Sequence, residues 1–178
     1  MSAATRSSAS TAHHVDAFPR QRHDHKACVH DAVKAAAELC ERNGERFTPL
    51  RRRVLELVWS SHQPIGAYAI LDRLREEGRA AAPPTVYRAL DFLLSHGIVH
   101  RIASMNAFIG CNHPGEAHAV QVLICRNCGT AAELQDEDLA AAIGHAADRV
   151  GFAIESRVIE LAGTCVRCRA AEKPRNTR

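Results

Sequence analysis

The sequence predicts an α+β fold: a winged helix-turn-helix unit first, then a small α/β unit tied together by metal. Three observations predict it. The stretch from about residue 28 to residue 95 carries four apolar patterns of helical period, and an alternating hairpin pattern follows. Two C-x-x-C knuckles, Cys125-Arg126-Asn127-Cys128 and Cys165-Val166-Arg167-Cys168, lie in the second part. Four thiolates complete a tetrahedral shell around zinc and leave no position open for water, so such a site is structural. The stretch between the knuckles has room for a strand, a helix and another strand.

Composition narrows the class. The chain has 178 residues, 46% of them hydrophobic, which suits one or two globular domains. Aromatics are only 4%, so Ala, Leu, Val and Ile must fill the cores. No apolar run is long enough to span a bilayer, and the N-terminus has no compact apolar leader segment. We therefore expect a cytoplasmic protein with no membrane partner. In a reducing compartment clustered cysteines more often bind metal than form disulfides. The cysteines number seven, and an odd count fits a two-disulfide framework poorly. Residues 1–104 hold fifteen Lys or Arg against eleven Asp or Glu, while residues 105–178 hold eight against nine. The net charge of +3 thus sits entirely in the first part. That excess is a weak pointer to nucleic acid, and its arrangement has to carry the case.

Taken in order, residues 1–26 are rich in Ser, Ala, Thr and His without an apolar period, and read as a tail. Residues 27–110 read as the winged-helix domain. Its first helix spans Cys28 to Arg42, stopped by Asn43-Gly44. Thr48 is a good N-cap and Pro49 suits the first position of the second helix, which runs to about Ser60. Arg51, Arg52 and Arg53 fall in its first turns, where the helix dipole disfavours cations. Three arginines there suggest an external anion such as a phosphate backbone, with a solvated charge run as the equal alternative. Ala67 to Glu77 forms the third helix. Pro84 or Thr85 opens the fourth, which runs to about Ser95 before Gly97. Ile98 to Ala103 and Ala107 to Gly110 alternate as a hairpin.

Helices followed by a hairpin make a winged helix, and the fourth helix is then the recognition helix. Arg88, one turn in, is placed to offer a bidentate fork to guanine, with a surface ion pair to Asp91 or Glu77 as the competing use. Tyr68, opening the third helix, suits a phosphate or a thymine methyl. Thr85 and Arg51, at the starts of their helices, complete the candidate DNA-contacting set.

Residues 111–178 read as the α/β domain. Ala119 to Ile124 is its first strand, and Glu133 closes the partner strand after the Gly129 turn. Asp136 to Val150 is a helix with acidic residues in its first turn. Phe152 to Leu161 alternates as a strand, and Gly163 turns into the second knuckle. An exposed strand edge or apolar sheet face there suits a two-fold interface.

A second set of donors lies between wing and knuckles: His100, Cys111, His118 and Glu133. His100 and Cys111 sit on antiparallel neighbours, so they can converge, and His118 can meet Glu133 across the next hairpin. One thiolate, two imidazoles and a carboxylate suit four-coordinate zinc. Two donors come from each half, so a metal there ties the halves together. His113, followed by Glu116, is the main competitor for one position.

The chain resembles the ferric uptake regulator family, and most closely its zinc uptake regulator branch. The resemblance covers about residues 35 to 170. It rests on Thr48-Pro49-x-Arg51, Pro84-Thr85-Val86-Tyr87-Arg88-Ala89-Leu90, Gly97-Ile98-Val99-His100, Cys111, Cys125-x-x-Cys128-Gly129 and Cys165-x-x-Cys168. It implies a homodimer that binds double-stranded operator DNA and acts on no small organic substrate. It implies two zinc ions per chain: a structural one at Cys125, Cys128, Cys165 and Cys168, and a regulatory one at His100, Cys111, His118 and Glu133. The DNA-reading Tyr and Arg of the branch correspond to Tyr68 and Arg88. Where the iron-sensing branch commonly carries His-His-Asp-His, this chain has Cys111-Asn112-His113-Pro114-Gly115-Glu116-Ala117-His118, which favours zinc. No H-x-E motif occurs, and Ile124, not Pro, precedes Cys125, so the zinc deaminase pattern is absent.

Overall fold

Capping side chains and apolar spacing set the helical lobe. The computed structural model describes Phe18, residues 24–116 and residues 119–171. Helix α1 spans His25–Arg42. It starts at His25, not Cys28, because the Asp24 carboxylate accepts from the N–H groups of Lys26 at 3.0 Å and Ala27 at 3.3 Å. His25 and Lys26, assigned to the tail by composition, therefore belong to this helix. Helix α2 spans Pro49–Val58, and Thr48 Oγ1 accepts from Arg51 N at 3.3 Å as the spacing predicts. Helices α3, Ala67–Glu76, and α4, Pro83–Ser95, follow. Leu55, Ile70, Leu74, Leu90 and Leu93 are fully buried among them. Each such side chain stabilises the lobe by roughly 1.5–3 kcal/mol.

Strands β1, Val99–Ile102, and β2, Ala107–Gly110, form the hairpin, with His100 opposite Ile109 and Ile102 opposite Ala107. Ile65 bridges to Phe108 along its outer edge. A 3-10 turn at Ala103–Met105 and a left-handed Asn106 (φ 45°) connect the strands. The pleat makes this hairpin a two-faced layer. Val99 and Phe108 join the helical core, while Ile102 and Ile109 join a second core with Val122, Ile124 and Ala131. The wing is thus packed on both faces and links the two lobes.

The second lobe is a three-stranded sheet in the order β4-β3-β5. Strand β3 is Val120–Cys125, β4 is Ala131–Leu134 and β5 is Val158–Gly163. Strand β3 pairs antiparallel with β4 and parallel with β5. Helix α5, Glu137–Asp148, makes the crossover and is capped by Asp136 Oδ1 accepting from Leu139 N at 2.8 Å. The alternation predicted a strand over Phe152–Leu161, but the strand begins at Val158. The six residues of β3 pair one for one with Val158–Gly163, and Phe152 to Arg157 have no facing partner in that ladder. Gly163 ends this strand instead of making a turn. A short helix α6, Val166–Ala171, carries the second knuckle.

Candidate metal centres and nucleic-acid interface

The first knuckle closes a hairpin. Cys125 ends β3, Gly129 adopts φ 72°, and Gly129 N donates to Cys125 O at 2.9 Å. The second knuckle enters from β5, where Arg126 N donates to Gly163 O at 2.8 Å. The two meet. The Sγ atoms of Cys125, Cys128, Cys165 and Cys168 all lie within 4.8 Å of one another. Cys128 and Cys165 are 3.9 Å apart. Zinc–sulfur bonds of about 2.3 Å in a tetrahedron put sulfurs about 3.8 Å apart, so the donor set fits zinc. All seven cysteines are free thiols, against the disulfide alternative. The N–H groups of Cys165, first, and Cys128 hold the Cys125 thiol down at about 6, which favours the thiolate a metal requires. Burial pushes Cys168 the other way, up to about 12, and the neighbouring thiols add to the rise.

The second cluster forms where the hairpin meets the sheet. His100 Nε2 lies 3.4 Å from Glu133 Oε1. Cys111 follows β2, and its N–H donates to Ile98 O at 3.0 Å. Donor atoms of His100, Cys111 and Glu133 all lie within 4.8 Å of one another, and all three residues are buried. Glu133 Oε2 also accepts from Asn112 N at 3.0 Å. Burial pushes the Cys111 thiol up to about 12, and the Glu133 carboxylate adds to the rise. A thiol and a carboxylate crowded in the interior are a poor pair on their own. A divalent cation between them inverts that electrostatic cost and takes the proton's place on sulfur. The donor chemistry therefore fits a metal. Residues 117 and 118 lie outside the described residues, so the structure says nothing of the predicted ligand His118. His113 and Glu116 are exposed, 3.9 Å apart, and outside the buried trio.

Sequence reasoning missed what supports these centres. Trp59 lies against the backbone of Gly110, where a Cβ would come within 2.1 Å of the indole. Trp59 and Cys111 line one cleft of about 310 Å³ with Cys28, Asp31 and Pro114. His62 and Gln63 reach the first knuckle: Ala131 N donates to His62 O at 2.9 Å, and Gln63 Nε2 donates to Cys128 O at 2.8 Å. No periodic pattern marks these loop residues.

On the helical lobe, Tyr87, Arg88 and Asp91 lie exposed on α4. Arg88 makes no ion pair among the described residues, and its rival partner Glu77 is held by Arg53. Tyr68, exposed at the start of α3, and the half-buried Thr85 accompany it. The arginine run has internal partners that the sequence does not show. Arg53 pairs with Glu56 and Glu77. The Arg51 guanidinium lies 3.3 Å from the centre of the Phe92 ring and donates to Arg46 O, so two of the three arginines have internal uses. Arg52 lies 5.4 Å from the Phe47 ring centre.

A profile of the ferric uptake regulator family matches residues 42–162. The chain belongs to the ferric uptake regulator family. Its relatives include the zinc uptake regulation protein of Escherichia coli (strain K12), 37% identical over 152 residues that cover 85% of this chain and 89% of the relative. A solved zinc uptake regulator complexed with zinc and DNA is 37% identical, with a TM-score of 0.76, covering 81% of this chain and 97% of that one. The crystal structure of holo XcZur is 43% identical, with a TM-score of 0.73, covering 79% and 98%. Within the family, then, the similarity runs to zinc uptake regulators. Among the described residues no helix is long and apolar enough to cross a membrane.

Proposed function

We propose that this family member is a zinc-responsive transcriptional regulator, a dimeric repressor of zinc-uptake genes, and not an enzyme. The observation that carries the reading is the buried trio His100, Cys111 and Glu133, drawn from the wing and the second sheet. It agrees with the related zinc uptake regulator solved in complex with zinc and DNA. Two zinc ions per chain fit the donors. Cys125, Cys128, Cys165 and Cys168 would hold a structural ion that pins the second lobe. His100, Cys111 and Glu133, with His118 as the fourth ligand, would hold a regulatory ion. Bound there, zinc supplies a removable positive charge that draws the wing's donors to Glu133.

Operator DNA is the partner this reading requires. Tyr68, Thr85 and Arg88 are its direct contacts, with Arg88 reading base edges from α4. Arg51 acts through its contact with Phe92, fixing α2 against α4 at the interface. We place the domain limits at 25–110 and 111–178: the helical core supports the first unit, which α1 carries back to His25, and the second core is shared by wing and sheet. A homodimer is supported by the second lobe, where no residue of α5 is buried and Val150, Phe152, Val158 and Leu161 are exposed. A two-fold pair presents its α4 helices to half-sites about 34–36 Å apart, or multiples of that. The cytoplasm is the compartment in which such a protein meets DNA and keeps its thiols reduced.

The test is Cys111→Ser. With four-cysteine zinc retained, the variant is expected to keep its fold and lose zinc-dependent DNA binding. Zinc-dependent binding of wild-type strength by the variant would reject the regulatory site.

A further inference from the structure

One row of the second sheet runs straight across all three strands. Val122 is the register partner of Glu133 on β4 and of Glu160 on β5. Register partners point to one face of a sheet, so the three side chains stand in line. That face meets the wing. At one end Glu133 faces His100 and accepts from Asn112 N, at the base of the hairpin. In the middle Val122 packs with Ile102 and Ile109. At the far end the Glu160 carboxylate accepts from Ala103 N at 2.6 Å and Ser104 N at 3.2 Å, at the tip.

Ala103 and Ser104 open the 3-10 turn Ala103–Met105. Their N–H groups are the ones such a turn leaves without partners of its own. Glu160 supplies both from the other lobe, with an ionised acceptor, the stronger kind of hydrogen bond. The Ser104 hydroxyl, first, and then the two N–H groups hold this carboxylate below the usual range, so it is ionised at neutral pH. The helical lobe holds β2 elsewhere, where Ile65 and Phe108 exchange backbone hydrogen bonds, and among the described residues only Glu160 is seen to accept from the Ala103 and Ser104 N–H groups.

We propose that Glu160 is a positioning residue of the metal response: it clasps the wing tip to the second sheet and so holds His100 and Cys111 in register with Glu133. The proposal rests on the zinc-sensor reading. With the tip fixed, emptying the regulatory site frees only the base of the wing, and the motion is a pivot about Glu160. With the tip released, the wing stays on the helical core through Ile65, Val99 and Phe108, but its sheet-facing side must be ordered against the second lobe each time the three donors are assembled. That ordering weakens metal affinity without touching a ligand.

The experiment uses the full chain carrying structural zinc, as wild type, Glu160→Gln and Glu160→Ala. Amide hydrogen exchange is read at Ala103 and Ser104, and zinc alone is titrated into the second site against a chelating dye. Wild type is expected to keep both tip amides protected with and without the second zinc. Protection falls in Glu160→Ala, and the second zinc binds about tenfold more weakly, the size expected for a charge-assisted pair. Glu160→Gln, which keeps one acceptor oxygen, falls between. Unchanged tip protection in both variants overturns the clasp. Lost tip protection or a lower melting temperature with unchanged zinc affinity makes Glu160 a stabilising contact only, and overturns its positioning role. A wild-type chain that takes up no second zinc rejects the sensor reading instead, while its tip exchange still judges the clasp. Should Glu160→Ala fail to fold, Glu160→Gln alone decides by the same two readouts.

Discussion

Gly110→Ala is a small change with a large expected effect. The new Cβ would lie 2.1 Å from Trp59 Cε2 and Nε1 and 2.6 Å from Cζ2. Carbon contacts are comfortable at about 3.5–4.0 Å, so the indole must retreat by roughly 1.5 Å. Trp59 packs against the helical core and lines a cleft with Cys28 and Asp31 of α1, so its retreat presses on that helix. Overpacking of this kind costs about 1–3 kcal/mol. With a urea slope of about 2 kcal/mol per molar, the unfolding midpoint falls by roughly 0.5–1.5 M. Trp59 is the only tryptophan in the chain, so its emission reports on the displaced ring directly. Cys111 is the next residue, and second-site zinc affinity is expected to fall with the midpoint. A variant with wild-type midpoint, emission and zinc affinity would refute the claim that Trp59 buttresses the wing beneath Cys111.

Other expectations follow from the same geometry. Cys125→Ser removes one of four thiols whose Sγ atoms all lie within 4.8 Å of one another, and the second lobe is expected to unfold, read by circular dichroism and zinc content. Arg88→Ala should cost about 1–3 kcal/mol in DNA affinity and relax base preference at one position, measured by binding to single-substitution duplexes. The Cys111 thiol is pushed up to about 12, so it is protonated between pH 7 and 9 until metal displaces its proton. Second-site zinc affinity should therefore rise with pH, by about tenfold per unit, in a competition titration across that window. A flat profile would show that Cys111 gives up no proton on binding.

Most of the architecture was legible because its signals are local. Thr48-Pro49 caps α2 as read, and the apolar period of α4 buries Val86, Ala89, Leu90 and Leu93. The pleat alone places His100 and Cys111 on the same face of the hairpin as Ile102 and Ile109, and antiparallel pairing brings them together. The illegible parts depend on distant partners. The internal contacts of arginines 51 and 53 were hidden because the sequence does not show Phe92 and Glu77 folding beneath them. The start of β5 was misjudged because the length of β3, not the alternation of Phe152 and Ile154, decides where pairing begins. Glu160 carries no motif, and only its register with Val122 and Glu133 reveals what it faces.

The central claim is that a removable ion joins His100 and Cys111 to Glu133, and that the joined form is the one that grips DNA. Near-complete switching requires zinc to favour that form by roughly 5.5 kcal/mol. Zinc per chain, measured before and after mild chelation and paired with the affinity for duplex DNA in each state, tests this most directly. The account predicts two ions falling to one, with DNA affinity lost as the second ion leaves and regained when it returns. Equal DNA affinity with one ion and with two would contradict it.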